Sequence, residues 1–515
     1  MKPVIFHADC NEAERGTPAR SGNLAEPATG NRTPRTRAAA AAWKAALRVD
    51  RRSFLRTSAL GFGALALDCL LAREAGAAAP SPFTPRPAGF APAAKAVILL
   101  MQSGGPSQMD LFDPKPELGR FDGKVHSERV EMFQKGSEAN RLLGSPWRFA
   151  PRGQCGMELS DAIPHLAGVA DELTLVRSMH TEHNNHTEAL VMLNTGKIFP
   201  GRPAFGSWVS YALGTENQNL PAYVVLRDPE GYNTSGTLLW QNAWLPAVHR
   251  GTEVSTQGAP LLNLHPAQPV AAESRRAQLD LLARLNREHQ RAHPGEPDLE
   301  ARIRNYELAA RMQLAAAATL DWQRESPATQ RLYGLEEKVT RGYGLRCLMA
   351  RRLVESGVRF VQVFPPVKPQ FQPWDTHRNV DTELAEIAGY TDLPSAALIR
   401  DLKARGLLES TIVVWAGEFG RLPVSQNGLG RDHNRNAFSL LLAGGGFRRG
   451  HIHGATDEFG YRAVKDKVSV PDLHATLLHQ FGLDHTRVSF PHHGRNETLT
   501  DAEVTGARVV HELFA

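Results

Sequence analysis

Short, continuous runs of apolar residues recur after residue 95, and most of them end in a polar, glycine-rich segment. Runs of this length and composition are typical of buried parallel strands. They span residues 96–101, 173–177, 222–226, 359–364, 411–416 and 438–442. Segments with helical periodicity are interspersed among them at residues 187–193, 344–356, 380–405 and 472–481. This alternation predicts an α/β fold with a central, mostly parallel sheet and helices on both faces.

One long segment departs from this alternation. Residues from about 271 to 335 are rich in Ala, Arg, Glu and Leu with roughly helical spacing, which predicts a helical insertion. Residues 230–265 carry few regular signals and are expected to be loops.

The N-terminal 79 residues look different from the rest. Residues 51–56, Arg-Arg-Ser-Phe-Leu-Arg, resemble the twin-arginine export motif. The apolar stretch that follows, residues 60–72, is shorter than the ~20 residues that span a bilayer, and small residues follow at 75–77. We predict a disordered N-terminus plus twin-arginine signal peptide (1–79), a linker (80–94), one domain (95–500) and a C-terminal tail (501–515). The protein would then be periplasmic or secreted, with the twin-arginine machinery as its export partner.

Composition narrows the class of protein. Hydrophobic residues make up 42% and charged residues 22%, which excludes a disordered or collagen-like chain. Residues 80–515 hold 47 basic and 47 acidic side chains, so the net charge of +5 resides in the N-terminal segment and gives no reason to expect a nucleic-acid partner. No other apolar run approaches 18 residues, so the mature protein is expected to have no transmembrane helix. Only two cysteines remain there, too few for a disulfide framework.

Five polar clusters follow predicted strands or open predicted helices. They lie at residues 103–114, 180–188, 374–377, 417–421 and 430–434. Ligands of open α/β sheets bind beyond the carboxyl ends of the strands, so the clusters are expected to share one edge. Each cluster taken alone also fits ordinary loops with hydrogen-bonded structural side chains.

The composition of these clusters points to a metal site that handles an anionic ligand. Imidazole and carboxylate groups suit zinc, manganese or iron. Arginine can bind the oxygens of an anion through its forked N–H groups. The candidate metal ligands are Asp110, Asp375, His377, Glu418, Asp432 and His433. The candidate anion-binding residues are Arg421 and Arg431.

Glu418 stands at the tip of a strand with the composition of a central one. A carboxylate buried there is costly unless it has a partner. The sequence leaves three possible partners for Glu418, namely a metal ion, Arg421 and Arg431.

The same clusters carry a family resemblance. The chain resembles the secreted bacterial family called domain of unknown function 1501, a sulfatase-like branch of the alkaline phosphatase superfamily. The matching phrases lie at residues 104–108, 113–116, 177–180, 214–221, 347–354, 417–421, 430–434 and 454–460. The resemblance implies an alkaline phosphatase/sulfatase-like fold for nearly the whole mature chain.

The resemblance also implies roles for single residues. Glu418 stands where sulfatases have a metal-binding Asp, and Phe419 stands where they have a His. His186 or Thr187 falls at the place of the catalytic nucleophile. The resemblance further implies that Asp375 and His377 bind metal, as in phosphatase relatives, and that Asp432-His433 supplies the late His ligand. Because no Cys stands at the nucleophile position, classical sulfatase chemistry is not expected.

Two functions follow as hypotheses. The first is an exported metal-dependent hydrolase of sulfate, phosphate or related esters, with Thr187 or a metal-activated water as nucleophile. Its ion would be zinc, manganese or calcium, and its substrate a sulfated or phosphorylated small molecule or polysaccharide. The alternative is a non-catalytic, sulfatase-like binding protein of the cell envelope, or an assembly factor in the periplasm.

Overall fold

The computed structural model describes residues 83–257, 270–293, 296–367 and 370–515. The predicted signal segment therefore lies outside the described residues. Within the described ranges the structure contains seventeen strands and twelve α-helices.

The strands in chain order are β1 Ala96–Met101, β2 Phe149–Arg152, β3 Met157–Ser160, β4 Leu173–His180, β5 Tyr223–Leu226, β6 Thr252–Glu253, β7 Phe360–Val363, β8 Thr411–Ala416, β9 Gly420–Gln426, β10 Gly430–Asn434, β11 Phe438–Ala443, β12 His451–His453, β13 Ala455–Thr456, β14 Ala463–Lys465, β15 Val468–Ser469, β16 Ser489–His492 and β17 Arg495–Thr498.

The helices are α1 Gln108–Leu111, α2 Pro116–Arg120, α3 Pro164–Ala167, α4 His186–Thr195, α5 Phe205–Leu213, α6 Ala272–Ala292, α7 Pro297–Leu320, α8 Pro327–Leu332, α9 Lys338–Glu355, α10 Val380–Ala404, α11 Val470–Gln480 and α12 Ala502–Thr505.

Nine strands form one central sheet in the order β12-β4-β11-β8-β1-β7-β5-β6, with β15 also paired to β4. Every pairing in this sheet is parallel except those of β11, which runs antiparallel to both β4 and β8. The predicted α/β class with a mostly parallel sheet is therefore confirmed.

Helices cover both faces of the sheet, and strand β1 shows why. Its side chains alternate between two apolar clusters, because successive residues of a strand point to opposite faces. Ile98 and Leu100 join the cluster that contains residues of α9 and α10. Val97, Leu99 and Met101 join the cluster that contains residues of α4, α5 and α11. With apolar packing on both sides, β1 reads as an unbroken hydrophobic run.

The predicted elements agree with the structure to within a few residues in the sheet core. β1 and β8 begin and end as predicted, and α10 differs by one residue at its C-terminus. Helices α6, α7 and α8 lie within residues 271–335, where the spacing predicts helical structure. The segment expected to be a C-terminal tail packs instead: Leu513 is fully buried and Phe514 pairs with Phe447 in a β-bridge.

One region was not predicted. The sequence analysis identifies no strand between residues 417 and 437, yet β9 and β10 form an antiparallel hairpin there. Its turn contains Asn427 and Gly428, both with positive φ (51° and 96°). Asn-Gly is a strong hairpin signal because both residues tolerate this conformation. The hairpin adds polar strands at the edge where β8 ends.

Candidate metal centre

Four side chains converge beyond the carboxyl ends of the central strands. His186 opens α4 after β4, Asp375 and His377 lie in the loop after β7, and His433 lies on β10. One nitrogen or oxygen from each residue lies within 4.8 Å of the corresponding atom of every other, so the group could hold a metal ion. The sequence analysis named all four residues, and the structure brings them together.

The carboxylate of Asp375 is the centre of the group. Its Oδ1 lies 2.8 Å from His377 Nε2, 3.2 Å from His433 Nε2 and 3.3 Å from His186 Nε2. Arg421 Nη2 donates to the same oxygen at 2.6 Å. Burial alone would raise the pKa of Asp375, but the Arg421 charge and the contacts with the three imidazole rings hold the pKa far below its usual range. Asp375 is therefore a carboxylate at any physiological pH.

The Nδ1 atoms of His377 and His433 each donate a hydrogen bond to an oxygen atom. His433 Nδ1 lies 2.6 Å from the backbone oxygen of Asn184, which can only accept, so Nδ1 carries the proton. His377 Nδ1 contacts Oε1 of Gln426. That amide is oriented by its own Nε2, which donates to the Lys135 backbone oxygen at 2.9 Å. His377 therefore also donates from Nδ1.

His186 is held in the same way by Glu418. Its Nδ1 lies 2.6 Å from Glu418 Oε1, and the Glu418 carboxylate also accepts the Gly104 backbone N–H, at 2.9 Å to Oε1 and 3.1 Å to Oε2. Gly104 has φ +119°, and a Cβ there would lie 2.6 Å from backbone nitrogens of Trp374 and Asp375. Only glycine lets this N–H approach both the carboxylate and the loop that carries Asp375.

Because Nδ1 faces an acceptor in all three rings, Nε2 is the nitrogen of each histidine that is available to a metal ion. His377 Nε2 and His433 Nε2 lie 2.9 Å apart, and either a proton or a bound cation between them makes this contact favourable. His186 Nε2 is buried and makes no hydrogen bond. The surrounding charges agree, because Asp375, Glu418 and Asp432 are three carboxylates near the group, and Arg421 pairs with the first of them. The site therefore fits a positive ion.

The pKa values distinguish the histidines. Burial lowers the pKa of His433 to about 3 and outweighs the hydrogen bond with Asp375, so His433 stays neutral. Burial also acts against the charge of His186, but Asp375 and Glu418 raise its pKa to about 9. Without a metal, the proton that offsets the carboxylates resides on His186.

Three imidazole nitrogens and one carboxylate oxygen are donors that suit zinc, and also manganese or iron. Calcium, one of the ions expected from the sequence, prefers six to eight oxygen ligands and fits this set poorly. Metal-bound histidines usually donate their other N–H to a carboxylate or carbonyl group. All three histidines have that second partner already in place.

Other predicted site residues are not in this group. Asp110 was expected to bind metal and Arg431 to bind an anion, but they form a buried pair. Arg431 donates to Asp110 from Nε at 2.7 Å and from Nη2 at 3.1 Å, and both side chains are 0% exposed. The backbone oxygens of Leu422 and Leu143 accept further hydrogen bonds from the Arg431 guanidinium. Neither residue has free capacity for a ligand, because each satisfies the other.

Asp432 and Arg421 also have internal partners. Asp432 Oδ2 accepts the backbone N–H groups of Phe133 and Gln134 at 2.7 and 2.8 Å, and its Oδ1 accepts that of His433. Arg421 is fully buried and donates to backbone oxygens as well as to Asp375. The structure thus makes Arg421 the counter-ion of Asp375 and leaves no free face for a substrate anion. Glu418, another expected metal ligand, orients His186.

Thr187 follows His186 in the chain, and Phe133 and Gln134 contact two of the other histidines. Thr187 is exposed in the first turn of α4, beside His186. The ring of Phe133 stacks on His433 at 4.8 Å, and Gln134 Nε2 lies 3.3 Å from His377 Nε2. Sequence reasoning missed Phe133, Gln134 and Gln426. The Asn-Gly turn next to Gln426 was the one available signal, since a hairpin there pairs Gln426 with Gly430 on the strand that carries His433.

A family model described as a protein of unknown function (DUF1501) matches residues 94–514. The chain belongs to this family. The resemblance identified from the sequence motifs is therefore confirmed over nearly all of the described chain. None of the curated proteins matches the DUF1501 chain significantly.

Solved structures similar to this DUF1501 protein include a lipoteichoic acid synthase, a sulfatase and a protein of the alkaline phosphatase superfamily. The lipoteichoic acid synthase LtaP from Listeria monocytogenes is 10% identical with a TM-score of 0.33, covering 76% of this chain and 73% of that one. A sulfatase from Pseudoalteromonas sp. is 11% identical with a TM-score of 0.33, covering 76% and 68%. An alkaline phosphatase superfamily protein from Vibrio parahaemolyticus is 12% identical with a TM-score of 0.33, covering 79% and 72%. Scores this low support no conclusion about activity or substrate.

Among the described residues, no helix is long and apolar enough to cross a membrane. Cys155 and Cys347 are both free thiols, the first exposed and the second buried.

Replacing Asp110 with Ala should destabilise the protein by about 3–5 kcal/mol, because it leaves the buried Arg431 charge without its partner. Urea unfolding measures this loss. The control is Glu117→Ala, which breaks the exposed ion pair with Arg120 and should cost under about 1 kcal/mol. Metal content should not change in either variant. Loss of bound metal with unchanged stability would mean that Asp110 is a ligand after all.

Replacing Glu418 with Gln should lower metal affinity by about 10- to 100-fold, as expected when the group that orients a metal-binding histidine is changed. The variant keeps the shape of the side chain but changes its charge and presents an N–H₂ group. Competition with a zinc-sensitive chelator measures the affinity. The matched control is Glu188→Gln, a half-buried carboxylate in the first turn of α4 outside the four-residue group. Equal affinity in wild type and Glu418→Gln would refute the proposed role.

Proposed function

We propose that this DUF1501 protein is an exported, metal-dependent hydrolase of sulfate, phosphate or related esters. One observation carries the proposal: three imidazole Nε2 atoms and the Asp375 carboxylate point at one another, and all three Nδ1 atoms are already committed to acceptors. Buried side chains arranged in this way fit a bound cation, and a metal at the carboxyl edge of an α/β sheet is a common basis for hydrolysis.

His186, Asp375, His377 and His433 would hold the ion. When bound there, a metal supplies polarisation of an ester oxygen and stabilisation of charge on the leaving group. Glu418 keeps His186 in the tautomer that presents Nε2. Arg421 keeps Asp375 ionised. Glu418 and Arg421 thus act on the site through fixed geometry and charge.

Substrate would approach from the Asp375 and His377 side. Their side chains are 18% and 17% exposed, whereas His433 is fully buried. Thr187 is the proposed nucleophile from the chain itself, because it is exposed and follows His186 directly. None of the four clustered side chains carries a hydroxyl or thiol, so a water molecule is the competing nucleophile.

The second candidate function is a non-catalytic binding protein of the cell envelope. The observation that favours it is the number of protein donors, since structural zinc sites usually have four and catalytic sites usually have three plus an open position. A site of this kind would fix the loop after β7 against β10 and α4.

The experiment that separates the two begins with metal content. Exported wild-type protein should hold about one zinc or manganese ion per chain, and His377→Ala and His433→Ala should lose it. His183→Ala is the control, because His183 lies in the same histidine-rich segment but outside the group. Elemental analysis checks these outcomes.

Hydrolysis is then measured on aryl sulfates, phosphate monoesters and phosphonate monoesters. We expect one class to be cleaved, and the rate to fall at least ~100-fold in His377→Ala, because a metal contributes several kcal/mol of transition-state stabilisation. Thr187→Ala should retain metal and lose activity if Thr187 is the nucleophile. Stoichiometric metal with no cleavage of any ester would favour the binding protein.

Export is proposed on the Arg51-Arg52 motif and the short apolar run after it. Replacing both arginines with Lys should block export, whereas Arg73→Lys, beyond the apolar run, should not. Fractionation followed by N-terminal sequencing should give a mature chain that begins between about Ala77 and Phe83. A mature chain that retains Arg51 would contradict this proposal.

A further inference from the structure

A short segment passes directly over the four-residue cluster. We call residues 130–137 the strap. The Phe133 ring stacks on His433 with centroids 4.8 Å apart and planes 16° apart. The next residue, Gln134, is exposed and places its side-chain amide 3.3 Å from His377 Nε2. Gln134 therefore lies at the side of the cluster that reaches solvent.

The buried carboxylate of Asp432 holds the strap in place. The Asp432 carboxylate is fully buried and accepts the backbone N–H of both Phe133 and Gln134, at 2.7 and 2.8 Å. Hydrogen bonds to an ionised acceptor are about twice as strong as neutral ones. The same carboxylate accepts the backbone N–H of His433 at 2.8 Å. One side chain thus ties the position of Gln134 to that of a cluster residue.

The far end of the strap is fixed to the β9–β10 hairpin. Gln426 Nε2 donates to the Lys135 backbone oxygen at 2.9 Å, and Asn427 N donates to the Gly136 oxygen at 3.0 Å. Backbone on both sides of Gln134 is therefore hydrogen-bonded to the protein, whereas its side chain is free to serve a ligand.

The donor end of the Gln134 amide, Nε2, faces the cluster and lies 3.3 Å from His377 Nε2. His377 donates from Nδ1 to Gln426, so Nε2 is the nitrogen that would bind a metal. A metal bound there would take up the Nε2 lone pair. The Gln134 N–H₂ would then need a new acceptor at the same place.

We propose that Gln134 donates a hydrogen bond to an oxygen of the tetrahedral oxyanion group, phosphate or sulfate, that the site binds. This proposal rests on the proposed function and deepens it by assigning a residue that recognises substrate. Arg421 and Arg431, the cations expected to bind the anion, are buried and paired with Asp375 and Asp110. Gln134 is a donor at the exposed side without such a commitment. Asp432 is then a positioning residue, because it holds Gln134 over the site.

The test uses the mature chain loaded with zinc and titrated calorimetrically with inorganic phosphate and, separately, inorganic sulfate. Gln134→Ala should bind the preferred anion about 10- to 100-fold more weakly, the usual loss for a hydrogen bond to a charged group. Gln134→Glu should bind it more weakly still, because a carboxylate repels the anion. Zinc affinity should stay within about twofold in both variants, since Gln134 is exposed and outside the donor set. Lys135→Ala is the control, because Lys135 contributes only its backbone oxygen to the contacts above.

Asp432→Asn tests the positioning role in a double-mutant cycle. Alone, it should weaken anion binding about as much as Gln134→Ala does, and in the Gln134→Ala background it should cause little further loss. A full additional loss in that background would overturn the positioning role of Asp432. Melting temperatures identify any variant that fails to fold, and the exposed Gln134 variants serve as the test in that case.

The outcomes separate this inference from the proposed function. A wild-type chain that takes up no metal overturns the proposed function before any anion is added. A metal-loaded wild type that binds neither anion, or a Gln134→Ala variant that binds as tightly as wild type, overturns the role of Gln134. A large fall in zinc affinity in Gln134→Ala would also overturn it, by making Gln134 a metal ligand.

Discussion

The negative charge of Asp375 is the constraint around which this site is organised. A carboxylate so little exposed is strongly destabilising unless opposite charge or donors surround it. Arg421 supplies the opposite charge, and main-chain oxygens of Gly105 and Arg431 hold its guanidinium in place. The three histidines then gather at the same oxygen from three separate parts of the chain. Removing the Arg421–Asp375 contact would leave the buried carboxylate without its fixed positive charge.

The apolar side chain of Phe419 also shapes this region. Phe419 stands where the resemblance to sulfatases implies a histidine. Its ring packs against His186 and His433, with centroids 4.8 and 4.6 Å away. A Cβ at Gly105 would lie 2.6 Å from that ring, so glycine makes room for it. Phe419 thus forms an apolar wall that keeps the imidazoles packed, and Glu418 beside it serves His186.

Sequence reasoning predicted the sheet well and the site in part. Strands β1 and β8 are apolar throughout because both of their faces are buried, so their limits are visible in the sequence. The residue types at positions 186, 375, 377 and 433 were correctly grouped at one edge. Asp110, Asp432 and Arg431 were grouped with them because sequence spacing cannot show which carboxylate pairs with which cation. The hairpin was missed because many residues of β9 and β10 are buried but polar, and their side chains are satisfied by partners outside the hairpin.

The antiparallel direction of β11 determines the path of the segment before it, residues 417–437. Because β11 runs antiparallel to β8, the chain leaves β8 and enters β11 at the same edge of the sheet. Residues 417–437 need not traverse the molecule, as a parallel return would require. The sheet fixes the two ends of this stretch. A change in its length or sequence would leave the order of the strands unaltered, so the residues of the centre could change while the scaffold remains the same.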